Sequence, residues 1–366
     1  MEYSDKHVQK AFKKEDIDAL SQIDCNHRDE HGQNAMFYAV RQHSLKLVMH
    51  FIKQGCDSDA ASIHGDRPLH IAAAFGLDVI VSHLLDSGAI VDPENKQGIT
   101  PLMLAAQKGS LATIERLLNA GANLTRQDKE GNSLLFYAVR SKKQKVLLHF
   151  LNRGLNPHHM NKLKENLHHH TARYGLDTML ETLFDYQVTP YIKNNYRQNP
   201  LHLCAKNSDE NMIQKWLSYG ISPSDKDAFD ATAYDYAKGY GEIQTLYERF
   251  ENDSVIKNKL AKSPLHRALR QGNLDEAEAM IKMNMDIDTK DVFGNKPLFY
   301  ALILKDDLLL RLLLKRVQEL DDIDAFGLDA LFYAALFNVE AYFTYKNIEK
   351  DDLPETLKLL LRTSEY

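Results

Sequence analysis

Nearly the same five residues occur four times in this chain: MFYAV at 36–40, LFYAV at 135–139, LFYAL at 298–302 and LFYAA at 331–335. A fixed pentapeptide is not something an ordinary core demands, so its recurrence points to one structural unit written many times. A glycine stands four residues ahead of each copy, and Gly32, Gly65, Gly98 and Gly131 are spaced by 33 residues. The same step carries the marker through Lys164, Arg197 and Asp230. One step of 31 then reaches Ala261, and Gly294 and Gly327 resume the spacing.

Other positions obey the same ruler. Seven residues past the markers stand Ala39, Ala72, Ala105, Ala138, Thr171, Cys204, Ala237, Ala268, Ala301 and Ala334, all small. Sixteen, nineteen and twenty residues past them come triplets such as Val48, Phe51, Ile52 and Ile114, Leu117, Leu118. Spacings of three and four place such residues on one face of a helix. The small slot predicts a first helix that its neighbours approach closely. Stretches such as GAIVDPENKQG between units read as helix stop followed by a tight hairpin-like turn. Each unit is therefore helix, turn, helix, hairpin.

These residues resemble a known family. DRPLHIAAAFGLDVIVSHLLDSGAIVD at 66–92 and GITPLMLAAQKGSLATIERLLNAGANL at 98–124 are similar to ankyrin repeats, with NPLHLCA at 199–205, TAYDYA at 232–237 and SPLHRAL at 263–269 as further traces. The resemblance implies an all-α solenoid of stacked helix-turn-helix units with short β-hairpin loops. In LFYAV-type units Phe37, Phe136, Phe299 and Phe332 replace the family histidine, exchanging its polar tie for apolar packing. The expected layout is an N-terminal capping half-repeat over 1–28 and about ten repeats over 29–348, irregular at 161–193 and 227–260. Val8, Phe12, Ile17 and Leu20 form the first cap. A closing helix over 349–366 carries Leu353, Leu357, Leu360 and Leu361 on one face. The unit at 164–196, with Lys164, His168 and Thr171 in slots that elsewhere hold Gly, an apolar residue and Ala, is expected to be weak.

Composition narrows the function. With 44% hydrophobic and 26% charged residues, the 366-residue chain can bury a substantial core. A net charge of −6 gives no bulk attraction to nucleic acid or anionic membrane. Cys25, Cys56 and Cys204 form no CxxC pair, which fits a reducing compartment and argues against a disulfide framework or thiolate zinc site. No apolar stretch is long enough for a membrane span, and the charged N-terminus does not read as a signal peptide. A cytoplasmic protein is expected, without cofactor and as a monomer.

Two groups raise catalytic or metal chemistry. His158, His159, His168, His169 and His170 lie within thirteen residues, and imidazole is a common zinc or nickel ligand. A metal-binding protein or metal-dependent enzyme is the alternative this cluster offers. Against it, His169 fills the family's structural histidine slot, and adjacent helical residues diverge by about 100°. His202 and Cys204 suggest a base and nucleophile, but residues two apart on a helix do not face each other. No GxSxG, P-loop, HExxH or dinucleotide-binding pattern is present, so an enzyme is not expected.

The remaining signal is on the surface. Nine residues past the markers stand Arg41, Arg140, Arg173, Lys206 and Arg270, with Lys108 and Tyr174 in the neighbouring slot. The markers' preceding residues become aromatic late in the chain: Tyr196, Phe229, Phe293 and Phe326. The resemblance places both sets on the concave groove where partners bind, with Ile303, Leu304, Leu336 and Phe337 adding an apolar stretch. A protein partner with an acidic segment is expected. Phosphate, phosphoinositide or nucleic-acid binding by the basic stripe is the other alternative. Many-repeat chains of this family also resemble effectors that intracellular bacteria secrete, which implies a host protein as partner and host cytoplasm as destination.

Overall fold

The computed structural model describes residues 6–186, 188–206, 210–218, 221, 223, 225–237, 264–271, 273–283, 285–290, 295–317, 329–336, 339–354 and 357–358. The chain divides into two compact units, Met1–Leu155 and Asn156–Tyr366.

The first unit begins with α1 (Lys6–Lys14) and the single turn α2 (Ile17–Leu20), whose Val8, Phe12 and Leu20 are buried. Four inner–outer pairs follow: α3 (Ala35–Arg41) with α4 (Leu45–Lys53), α5 (Pro68–Phe75) with α6 (Asp78–Asp86), α7 (Pro101–Lys108) with α8 (Leu111–Asn119), and α9 (Leu134–Arg140) with α10 (Gln144–Leu151). Their ends are written locally. Pro68 and Pro101 open inner helices at a position that needs no amide donor. The Asn34 side chain accepts from Met36 N, and Thr100 Oγ1 from Met103 N, satisfying orphan amides of the first turn. The alanine slot is fully buried at Ala39, Ala72, Ala105 and Ala138, where a longer side chain would hold neighbouring inner helices apart. Val48, Phe51, Val81, Leu84, Ile114, Leu117, Leu147 and Phe150 of the outer helices are likewise fully buried.

Histidine pegs tie successive repeats. His70 donates from Nε2 to the Ile99 carbonyl of the next repeat at 3.0 Å while Nδ1 accepts from Arg67 N. His169 and His266 repeat the long bond, to Gln198 and Asn295 carbonyls at 3.1 and 2.9 Å.

The second unit continues with α11 (Leu167–Tyr174), α12 (Asp177–Asp185), α13 (Pro200–Ala205), α14 (Glu210–Ser218) and α15 (Ala233–Tyr236). It then runs through α16 (Pro264–Gln271), α17 (Leu274–Lys282), α18 (Pro297–Leu304), α19 (Asp307–Leu314), α20 (Ala330–Leu336) and α21 (Glu340–Lys346). Among the described residues its core has two parts. One surrounds Trp216 with Leu201, Cys204, Ile213 and Ala237. The other extends from Leu265 to Leu353 and takes in Ile192, with Met160 packed against it. The His158 ring meets Phe332 of α20 at 5.0 Å and Tyr191 meets Tyr300 of α18 at 6.0 Å. Ile303 and Leu304 are partly buried against this core and Leu336 is buried in it, instead of forming an open apolar groove; Phe337 lies outside the described residues.

The hairpins show why the markers are glycine. Gly32, Gly65, Gly98 and Gly131 have φ of 72° to 81°, and Lys164, Arg197 and Asp230 hold the same left-handed backbone at 57° to 59° without glycine's freedom. Three residues ahead of each of these seven markers a short polar side chain closes the turn. Asp29, Asn95, Asp128, Asn161, Asn194 and Asp227 each accept, through Oδ1, the amides two and four residues on; Ser62 does so through Oγ. Within each unit, successive tips are joined by one amide donated back to the predecessor: Ile63 to His31, Lys96 to His64 and Lys129 to Gln97 in the first, Asn195 to Leu163 and Ala228 to Tyr196 in the second, all at 2.8 to 2.9 Å.

In the unit at 164–196 polar side chains fill slots that are apolar elsewhere, and they are buried among aromatic rings and carbonyls. His168 donates from Nε2 to the Val188 carbonyl at 2.7 Å and lies against Phe184 and Trp216, and Thr171 Oγ1 donates to the His168 carbonyl at 2.9 Å. Of the expected closing helix, Leu353 is buried and Leu357 packs on the core; Leu360 and Leu361 lie outside the described residues.

Candidate functional site

The basic stripe is present, but much of it is tethered within its own repeat. In the first unit Arg41 is exposed and donates from Nη1 to Gln33 Oε1 at 2.7 Å. Arg140 is half-buried, its guanidinium carbon 4.9 Å from the Tyr137 ring centre. Lys108 ends α7 and is exposed.

In the second unit Arg173 grips both carboxylate oxygens of Glu165. Glu165 is 1% exposed and also receives Asn194 Nδ2 at 3.2 Å, with His170 Nε2 3.3 Å away. Burial alone would raise this carboxyl, but the His170 and Arg173 contacts outweigh it and hold Glu165 far below the usual carboxylate range. Arg173 is thus chiefly a counter-ion. Lys206 is exposed at the end of α13, its Nζ 4.4 Å from the Tyr236 ring centre. Tyr174 is exposed. Tyr196 and Phe229, on successive hairpin tips, stack at 6.4 Å and 22° yet remain 45% and 72% exposed. The Arg270 side chain, Phe293 and Phe326 lie outside the described residues.

The five histidines are dispersed. His158 faces Phe332, His168 the Val188 carbonyl, His169 the Gln198 carbonyl and His170 the Glu165 carboxylate, while His159 is buried. Burial holds His168 near 3 and His158 and His169 near 4, so all three are neutral. Among the described residues no three His, Cys, Asp or Glu side chains gather as a metal site. His202 turns to Asn199 at 2.7 Å, and Cys204 is fully buried.

One relationship lay unread in the sequence. Tyr38, Tyr137 and Tyr236, six residues past their markers, donate their hydroxyls to the second oxygen of the tip aspartates Asp29, Asp128 and Asp227 at 2.8, 2.6 and 2.5 Å. The signal was there. Tyr stands in this slot in five repeats, and each of those has Asp three ahead of its marker, Asp291 and Asp324 with Tyr300 and Tyr333 included. The five repeats with Ser or Asn at the tip have Ile71, Leu104, His170, Leu203 and Arg267 instead. The Phe of LFYAV is apolar packing as expected, but its Tyr neighbour supplies a polar tie of its own.

Paired helices on a 33-residue ruler, pegged by histidine and joined by hairpin tips, define a helical-repeat protein. The chain carries ankyrin repeats over residues 8–161. A family model, ankyrin repeats in three copies, matches residues 8–95 and 69–161. The crystal structure of the human ASB11 ankyrin repeat domain is similar, with a TM-score of 0.52 and 23% identity, over 60% of this chain and 99% of that one. At that identity the likeness concerns the fold alone. A search of curated proteins gives no match. Ankyrin repeats are generally protein–protein interaction modules. No helix among the described residues is long and apolar enough to cross a membrane.

Proposed function

We propose that the chain is a protein-binding module whose second unit engages a partner through its hairpin tips and adjoining inner-helix ends. The stacked pair Tyr196 and Phe229 carries this reading. Two aromatic rings held in register on rigid turns, 45% and 72% exposed, form the kind of patch that anchors interfaces. Lys206 lies over Tyr236, whose hydroxyl meets Asp227 in the same hairpin as Phe229, so a cation stands on the repeat that presents the aromatic anchor. An acidic segment bearing an apolar residue suits this combination. A scaffold already locked by tip aspartates and histidine pegs loses little entropy on binding.

The experiment is affinity capture with mass spectrometry, comparing wild type with Tyr196→Ser/Phe229→Ser and with Lys206→Glu. Loss of the same specific partners in both variants, with unchanged thermal melting, supports the reading; an identical partner set for all three proteins rejects this surface. A role as a secreted effector rests on many-repeat architecture alone, and capture from host lysate with the same variants tests it.

A further inference from the structure

We infer that the first unit carries a second recognition surface, a basic and apolar ridge along its inner-to-outer helix turns, which takes an acidic peptide segment with a large apolar side chain. It deepens the protein-binding reading but uses different residues, at the C-terminal ends of the first unit's inner helices.

The ridge is continuous by contact. The His43 ring lies 4.6 Å from the Phe75 ring. Gly76, next to Phe75, is covered by the Lys108 stem, for a methyl group added there would stand 3.3 Å from Lys108 Cγ. Gly109, next to Lys108, is covered in turn by Lys143, whose Cδ would be 2.6 Å from such a methyl and whose Nζ donates to the Gly109 carbonyl at 3.0 Å. Left-handed glycines at helix ends thus seat each lysine stem on the preceding repeat. Arg140, Lys142 and Lys145 extend the positive charge on the last of these turns.

Two properties select the occupant. None of Lys108, Arg140, Lys142, Lys143 and Lys145 is paired with a carboxylate among the described residues, although the whole chain is net negative. The same edge exposes Phe75, Val79 and Leu111 at 43%, 48% and 36%. A row of cations without carboxylate partners among the described residues, beside apolar side chains, complements a segment that supplies carboxylates and one or two apolar anchors. Asp78, at the Phe75 end, sits among the apolar residues and disfavours a flat polyanionic surface there. A peptide a few residues wide can engage the cations and Phe75 around it, whereas a duplex or bilayer meets the whole edge of an acidic protein.

The test uses the full chain and a fluorescein-labelled dodecapeptide with six Glu and a central Phe-Leu pair. Carbodiimide coupling of the bound peptide, read by mass spectrometry, should place its carboxylates on Lys108, Lys142, Lys143 and Lys145. Affinity by anisotropy should fall at least tenfold in Lys108→Glu/Lys143→Glu and about threefold in Phe75→Ala, and a peptide with Ser-Ser at its centre should bind correspondingly less well. Should the first pair fail to fold, Lys108→Glu/Lys145→Glu repeats the measurement on exposed stems. Coupling scattered over the chain's lysines, or unchanged affinity in a folded variant, overturns the proposal. Tighter binding of a single-stranded oligonucleotide or of phosphatidylserine vesicles than of the peptide overturns its choice of occupant. Because Tyr196, Lys206 and Phe229 are untouched, failure here leaves the second-unit reading standing, and failure of the capture experiment leaves this one.

Discussion

The Tyr137 hydroxyl donates to Asp128 Oδ2 at 2.6 Å, while Oδ1 of the same carboxylate accepts the amides of Glu130 and Asn132 at 2.9 and 2.8 Å. One carboxylate thus locks a hairpin tip and fastens it to the helix that follows. Burial first, and then the hydrogen bond to Asp128, pushes the phenol far above its ordinary value, so it remains a donor at any pH the fold tolerates. Tyr137→Phe should lower stability by about 1 kcal/mol, the usual net worth of such a bond. Asp128→Ala should cost more, since it also strands two tip amides. Urea unfolding of both single variants and the double checks this, and the double should cost less than the two singles combined.

Gly65→Ala tests the marker glycine. Its φ is 81°, and an added Cβ would stand 2.9 Å from Lys96 N, which is backbone and cannot step aside. The left-handed conformation costs about 1–2 kcal/mol for a residue with a Cβ, and the clash adds to it. Arg197→Gly, at a φ of 57° already strained, should be neutral or slightly stabilising. Thermal denaturation of the two proteins should therefore move in different directions.

Buried histidines set the response to acid. His168 and His169 titrate near 3 and 4 in the fold, against 6.5 for the free side chain, because burial penalises the charged ring. The unfolded chain takes up protons first, so stability is complete above about pH 6.5 and falls as pH drops toward the folded values, by several kcal/mol in order of magnitude. Glu165, held low by His170 and Arg173, loses its contribution in the same direction below the ordinary carboxylate range. His168→Leu should flatten the profile between pH 6.5 and 4, measured as urea midpoints across that range.

Arg173→Ala should destabilise the second unit, because it leaves the Glu165 carboxylate buried with one strong partner fewer. The Arg173 side chain is 36% exposed, so about 2–3 kcal/mol is expected, below the cost of breaking a fully buried pair. Arg173→Ala/Glu165→Gln should recover part of that loss, as measured by thermal unfolding.

The cysteines should alkylate slowly. Cys25, Cys56 and Cys204 are all buried, and burial pushes the Cys25 and Cys56 thiols above their ordinary value, leaving little thiolate. Iodoacetamide labelling followed by mass spectrometry should show all three protected in native protein and fully labelled in urea.

Periodicity made the helices, the small buried slot and the outer-helix core legible, because each is a one-residue rule repeated at fixed spacing. Ala105 or Phe150 can be placed without knowing what it touches. The tip aspartates were equally readable and needed only a count backward from the markers, where Asp, Asn or Ser stands in all ten repeats. Pairwise facts were not readable that way. Arg173 shares its slot with Arg41 and Arg140, yet one holds a buried carboxylate, one a glutamine amide and one an aromatic ring. Likewise, the packing of His158 and Tyr191 on α18 and α20 joins residues more than a hundred positions apart, a contact no 33-residue ruler encodes.

The amide that a hairpin tip of the first unit sends back to its predecessor has an evolutionary corollary. Ile63, Lys96 and Lys129 each reach a carbonyl thirty-two residues upstream. Duplication or excision of one whole repeat within this stretch would give every amide an equivalent acceptor. A single inserted codon between two tips would shift one of these bonds out of phase, so such chains can lengthen by whole modules far more readily than by single residues.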